Sequence, residues 1–573
     1  IYSKLNGPLR KAKTIDYDND GDLDIFLSDS YNQLYLFRNN DGNLNNYLKV
    51  QLTGLRAGSS KNNYFGIGSK VELKAGDLYQ LKYVTEPVIH FGIGERDSAD
   101  IIRVVWSNGV PQNHFKPQKN QTIVETQVLK GSCPYLFGWT GNKYEFITDV
   151  LWPSALGMPL GIMAGEPLFA FPNSTDEYLK IQDTKLKVKE NKYYLQFTTE
   201  LWETPYLDNV KLLVIDHPKN VDVFINETFI PPPYPEFRIH SVTKKYLPSN
   251  AKDERENDQL DKIKFKDNLY VANFSSDLYQ GVTELHDLTL EFDNLPLADS
   301  LFLFLQGWLF PTDASINVLL SQTETLSSIF PYLQVPDENG EWVTIIKNLG
   351  FPKGKNKTMI IDMTNKFISD DYRIRIRTNM QIYWDHIFIA KNTYRNNIQS
   401  TELSPTSADL HYRGFSDISK IDYSSPHIPN YYSISKGQKW RDLIGDYTRY
   451  GDVLSLLIQS DNKYVIMNSG DEITLTFNAL NLPNIPKNWS RDFFFYNDGW
   501  LKDGDLNTNR GQTVEPLPFH GMESYPDAAN GKYPSDSEFN SYRKEYNTRK
   551  INDEKFKGFL RRSIKEIRED QAE

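Results

Sequence analysis

The sequence predicts a mainly β chain, with serial β-sandwich modules ahead of a short C-terminal helix. Three observations lead there. Aromatic residues make up 13% of the 573 positions, and such side chains favour pleated, half-buried surfaces. Short apolar runs, such as residues 143–147, 193–197 and 210–215, recur between turn clusters. Strict alternation over residues 372–377 and 473–477 is the pattern of strands with one buried face.

Composition narrows the class of protein. A net charge of -11 argues against a general binder of nucleic acid or anionic membrane. Cys133 is the only cysteine, which excludes an intrachain disulfide, an iron–sulfur site and a multi-cysteine zinc site. The longest apolar run, residues 301–310, is too short to span a bilayer and reads as buried strand. The chain begins at Ile1, so the expectation is that a leader or a larger upstream region has been removed. Sparse thiols suit export, and the expected location is secreted, periplasmic or cell-surface.

The first element is an acidic loop. Asp16, Asp18, Asp20 and Asp24 occupy loop positions 1, 3, 5 and 9. Gly21 at position 6 permits the sharp turn, and Asp22 at position 7 offers its backbone carbonyl, an oxygen set that suits Ca²⁺. An EF-hand would need Glu at position 12, where Leu27 stands, and a preceding helix, where residues 6–8 read Asn-Gly-Pro. The run after the loop is strand-like, so the prediction is a calcium loop between strands. Such a loop saturates its ion and would buttress rather than catalyse.

With residues 34–42, this loop resembles the last blade of an FG-GAP (VCBS-type) β-propeller. The resemblance implies that Asp16, Asp18, Asp20, Asp22 and Asp24 are calcium positions. Residues 1–43 are then a truncated blade, and another polypeptide is expected to complete it. The pieces that follow are residues 46–50, 66–71, 90–94, 104–109 and 120–122. In that order they resemble the ASPIC/UnbV domain of cartilage acidic protein 1-like proteins, giving a β-domain over 44–128. Gly92 and Gly94 do not open a dinucleotide site, because no third glycine or helical pattern follows, and a turn is expected there.

Beyond residue 128 the expected organisation is one β-sandwich region over 129–395 and a second over 396–540, with a charged amphipathic helical tail over 541–573. Residues 246–262 read as a charged exposed loop with some helix, and 394–437 as a structured connector. The landmarks at 383–385, 449–452 and 498–500 resemble a region that follows ASPIC/UnbV domains in bacterial proteins, which brings no activity with it.

No catalytic motif emerges. The nine histidines form no metal or protease pattern, and neighbours such as Asp385 and His386 in a strand point to opposite faces. A second acidic candidate is Asp503, Asp505, Asn507 and Asn509. Thr508 occupies its position 6 and Lys502 brings a competing cation, so a rigid turn stands against a second Ca²⁺ there. The expected function is a calcium-stabilised extracellular or cell-surface scaffold or adhesion subunit mediating protein–protein assembly, without enzymatic activity. The alternative is a carbohydrate-binding or carbohydrate-active protein that recognises polysaccharide through buried acids and Trp308, Trp440, Trp489 or Trp500.

Overall fold

The computed structural model describes residues 7–54, 62–107, 109–127, 133–163, 166–275, 279–293, 295–296, 300–324, 326–391, 398–437 and 439–552. They form a mainly β chain with two α-helices among the described residues. The chain divides into two compact units, one ending near residue 129 and the other beginning there. Among the described residues no helix is long and apolar enough to cross a membrane, which leaves β-barrels unaddressed.

The first unit opens with an antiparallel sheet of β1 (Leu9–Ile15), β2 (Asp24–Asp29) and β3 (Leu34–Phe37), with β2 central. All seven residues of β1 are exposed. Next come β4 (Asn46–Thr53), β5 (Lys70–Ala75), β6 (Leu78–Tyr83), β7 (Val88–Gly94), β8 (Ile101–Val105), β9 (Pro111–Phe115) and β10 (Gln121–Thr126). They pair as two sheets, ordered β10-β4-β7 and β6-β5-β8-β9. Leu48, Val50, Phe91, Val71, Leu73 and Val104 from both sheets share one core. Alternation along β4 sends Leu48, Val50 and Leu52 inward and leaves Lys49 and Gln51 on the other face. The turn expected at Gly92–Gly94 comes later: both glycines lie within β7, and the turn begins at Glu95, with the Ile93 carbonyl accepting Arg96 N–H.

In the second unit, strand pairing ignores the expected division near residue 396. Lys192–Thr198 pairs with Asp471–Asn478, which pairs with Pro405–Tyr412. Glu203–Pro218 lies between Trp489–Asp503 and Gln399–Leu403. Leu195, Phe197, Val210, Leu212, Leu475 and Phe495 close a core drawn from both stretches. The stretch expected as a connector therefore supplies sheet strands, and residues 219–391 lie between the two halves of this sandwich in sequence. Long-range antiparallel pairing of this kind leaves no local trace, because each strand keeps the same period whichever partner it finds.

The intervening residues build their own layers. One sheet runs Asn250–Asp253, Val282–Glu291, Arg373–Met380, Tyr332–Pro336 and Trp342–Ile346, and another Lys357–Asp362, Leu301–Leu309 and Ile382–Lys391. Leu301–Leu309 is buried along its whole length. Leu303 and Leu305 enter one core while Phe302 and Phe304 enter another, which explains why this run is continuous rather than alternating. The charged stretch at 246–262 includes the strand Asn250–Asp253 and a single 3₁₀ turn.

Near the C-terminus a helix spans Ser537–Tyr546, capped by the Asp536 carboxylate accepting from Glu538 and Phe539 N–H. Of the helical tail expected over 541–573, residues 541–546 belong to this helix and Arg549–Ile551 is a strand; the residues beyond 552 lie outside the described residues.

Candidate metal centre

The acidic loop joins β1 to β2, which start their ladder at Ile15 opposite Asp24. One carboxylate oxygen from each of Asp16, Asp18 and Asp20 lies within 4.8 Å of the other two. Asp16 Oδ2 accepts from Gly21 N–H at 3.2 Å and Lys49 Nζ at 2.6 Å, while Asp16 Oδ1 is buried and makes no hydrogen bond. Arg38 pairs with Asp18 at 2.6 Å and reaches Asp20 at 3.8 Å. Asp20 accepts from Asp22 N–H and from the Asn43 side chain.

The other two loop aspartates have different surroundings. Asp24 is fully buried, and its oxygens accept Tyr17 N–H at 3.0 Å and Asn39 N–H at 2.7 Å, bracing the turn. Both Asp22 oxygens are buried and make no hydrogen bond of good geometry. Burial first, then the charges of Asp20 and Asp24, push the Asp22 carboxyl above its usual range.

The loop rests on the face of β4 and β7 that points away from their core. Lys49 and His90 stand directly opposite one another across that pair. Lys49 reaches Asp16, and His90 Nε2 donates to the Gly21 carbonyl at 2.8 Å. Gly21 has a φ of +99°, and a Cβ there would run into the Tyr47 ring. Only glycine meets both demands.

The second acidic candidate is a chain of local hydrogen bonds. Asp503 Oδ1 accepts from the Thr508 hydroxyl. Asp505 Oδ1 accepts Asn507 N–H at 2.8 Å and the Ser315 hydroxyl at 3.0 Å. Asn509 N–H is committed to the Gly157 carbonyl. Thr508 thus acts as a donor within the turn.

A third cluster joins residues that no spacing rule connects: Asp208, Asp498 and His520 present ligand-type atoms within 4.8 Å of one another. The strands Glu203–Pro218 and Trp489–Asp503 change register between Leu207 and Asn209. Asp208 is the extra residue of that bulge, the kind of irregularity that re-aims a side chain. Asp208 Oδ2 accepts Asp461 and Asn462 N–H, both at 3.1 Å. Asp498 Oδ2 accepts the Ser460 hydroxyl at 2.6 Å and lies 2.9 Å from His520 Nε2. Burial pushes the Asp208 carboxyl well up. Burial would lower His520, but the neighbouring Asp498 and Asp208 raise it instead. The only trace in the sequence was the landmark at 498–500, because the three residues meet through pairing across the whole unit.

Other expected residues separate. Asp385 accepts Asp267 and Asn268 N–H, whereas His386 Nδ1 meets the Ile263 carbonyl. Trp308, Trp440 and Trp500 are at most 2% exposed, so none offers a ring to solvent; Trp489 is half-buried.

Comparison with known proteins locates one domain. Residues 58–128 match the family described as ASPIC and UnbV, within the stretch whose motifs carry that resemblance. No curated protein matches the chain. Among solved structures, the crystal structure of the GH31 alpha-xylosidase from Xanthomonas citri aligns at 9% identity with a TM-score of 0.12. That alignment covers 70% of this chain and 36% of the xylosidase, a likeness that carries no argument.

Proposed function

We propose that this chain is a non-enzymatic, calcium-stabilised scaffold or adhesion subunit of a bacterial protein, secreted or held at the cell surface, that assembles with other protein chains. The observation that carries the reading is the acidic loop gathered against β4 and β7. Asp16, Asp18 and Asp20 converge, with the buried Asp16 Oδ1 lacking a hydrogen-bond partner. An oxygen-only set of this kind fits Ca²⁺. These three residues would hold the ion, with Asp22 and Asp24 completing the loop.

Calcium here would cancel the repulsion that Lys49 and Arg38 offset only in part, and would fix the first sheet against the ASPIC/UnbV part. The first sheet is read as a partial FG-GAP/VCBS-type blade. Its outer strand β1 presents an unpaired edge among the described residues, and a strand from another polypeptide would satisfy those backbone groups. The polysaccharide alternative draws no support from the buried Trp308, Trp440 and Trp500.

The test is the native mass of the protein isolated from its source, in calcium and then in chelator. A large assembly that dissociates in chelator is expected. A monomer under both conditions overturns the assembly reading.

A further inference from the structure

We propose that Asp208, Asp498 and His520 form a second and chemically different metal site, one that takes a divalent transition-metal ion of the zinc class. Carboxylate and imidazole together suit such ions, whereas the all-oxygen loop at Asp16–Asp20 suits calcium.

Three independent features converge. The first is geometric: the candidate ligand atoms lie within 4.8 Å of one another. The second is a pair of unsatisfied atoms. Asp208 is 0% exposed and Asp498 3%, and Oδ1 of each is buried with no hydrogen bond. An unpartnered buried acceptor is costly, and more so when charged. Among the described residues, neither pairs with a lysine or arginine. Other buried acids of the same unit do: Asp216 with Arg491 at 2.7 Å, Glu200 with Arg413 at 2.9 Å and Asp149 with Lys355 at 3.2 Å.

The third feature is the orientation of the imidazole. Asn462 Oδ1 accepts His520 backbone N–H at 2.7 Å and lies 2.8 Å from Nδ1. The backbone donor fixes the Asn462 oxygen in place, so Nδ1 carries a hydrogen and donates it. That leaves Nε2 aimed at Asp498 Oδ2, 2.9 Å away, while Asp208 Oδ2 lies 3.5 Å from Nδ1. Two lone pairs cannot face each other at that distance without a proton or a cation between them. Holding one ring nitrogen by a hydrogen bond while the other turns to the ion is the usual device of metal-binding histidines.

The set offers one imidazole nitrogen and two carboxylates, a donor combination that suits a divalent ion. The His520 side chain is 32% exposed, which gives the ion a path from solvent.

The experiment uses the full chain after chelator treatment and dialysis, titrated calorimetrically with Zn²⁺ and separately with Ca²⁺. It compares wild type, Asp20→Ala, His520→Gln and Asp208→Asn, with circular dichroism confirming that each variant is folded. Asp20→Ala is expected to keep the zinc site and weaken calcium. His520→Gln and Asp208→Asn are expected to weaken zinc about tenfold or more and leave calcium unchanged. His520→Gln sits at the exposed side of the cluster, so it remains informative if Asp208→Asn fails to fold. Absence of saturable zinc binding, or zinc affinity equal in wild type and His520→Gln, overturns the proposal.

Discussion

At the scale of single residues, Asp20 and Asp503 separate two acidic patterns that look alike in the sequence. Asp20→Ala removes one of three converging carboxylates and is expected to lower calcium affinity and abolish the stabilisation calcium confers. At a hundredfold excess over the dissociation constant that amounts to about 2.7 kcal/mol, read as the melting temperature with calcium minus that with chelator. Asp503→Ala is expected to cost about 1 kcal/mol through its lost turn hydrogen bonds, with an unchanged calcium response in the same assay. Glu203 supplies the pH prediction. Burial, and next the charge of Asp503, push its carboxyl from 4.5 up to about 8, although Cys133 N–H donates to it. Between those values the unfolded chain releases its proton and the folded chain keeps it, so this residue lowers stability as pH rises from about 4.5 to 8. Glu203→Gln should remove that slope. Denaturant unfolding at pH 5 and pH 7 checks it: the variant should gain relative to wild type at the higher pH. None of this was legible in the sequence for Glu203, Asp208 or His520, whose environments come from distant strands. The convergence of Asp16, Asp18 and Asp20 was legible because the three lie on one short segment.

At the scale of elements, local periodicity identified strands well and their partners poorly. Lys192–Thr198 and Asp471–Asn478 each show apolar side chains at the spacing expected of a strand, yet nothing in either segment specifies the other. The same limit let residues 394–437 pass as a connector. Their apolar positions are sparse, because Gln399–Leu403 lies at a sheet edge and Phe415–Ser419 and Ile428–Ser435 form a half-exposed hairpin. Arg413 ties that hairpin to the sandwich. It is 6% exposed, pairs with Glu200 at 2.9 Å and Glu472 at 3.2 Å, and donates to the Tyr431 carbonyl at 2.6 Å. Its guanidinium also stacks on the Tyr431 ring. Removing the cation strands two buried carboxylates, which typically costs about 3–5 kcal/mol. Arg413→Met is therefore expected to lower the unfolding free energy of this unit by that much, read from denaturant unfolding. A loss below about 1 kcal/mol would mean that the two glutamates find other donors or take up protons.

At the scale of the whole molecule, the acidic loop and the open β1 edge make one joint prediction. The loop is anchored to the β4–β7 pair through Lys49 and His90, while β2 links it directly to β1. Fixing the loop with an ion would therefore fix the edge that a partner strand must match in register, since a one-residue slip would turn every side chain to the wrong face. On the proposed assembly, loosening the loop should weaken the docking of another chain onto β1. Asp20→Ala purified in calcium is expected to show the smaller native mass that wild type shows only in chelator. Light scattering across a calcium titration measures this directly. If wild type dissociates in chelator while Asp20→Ala stays assembled in calcium, then calcium acts at some other site, and the link from loop to edge fails. If both variants dissociate together, the ion holds the edge in the geometry that a neighbouring chain recognises.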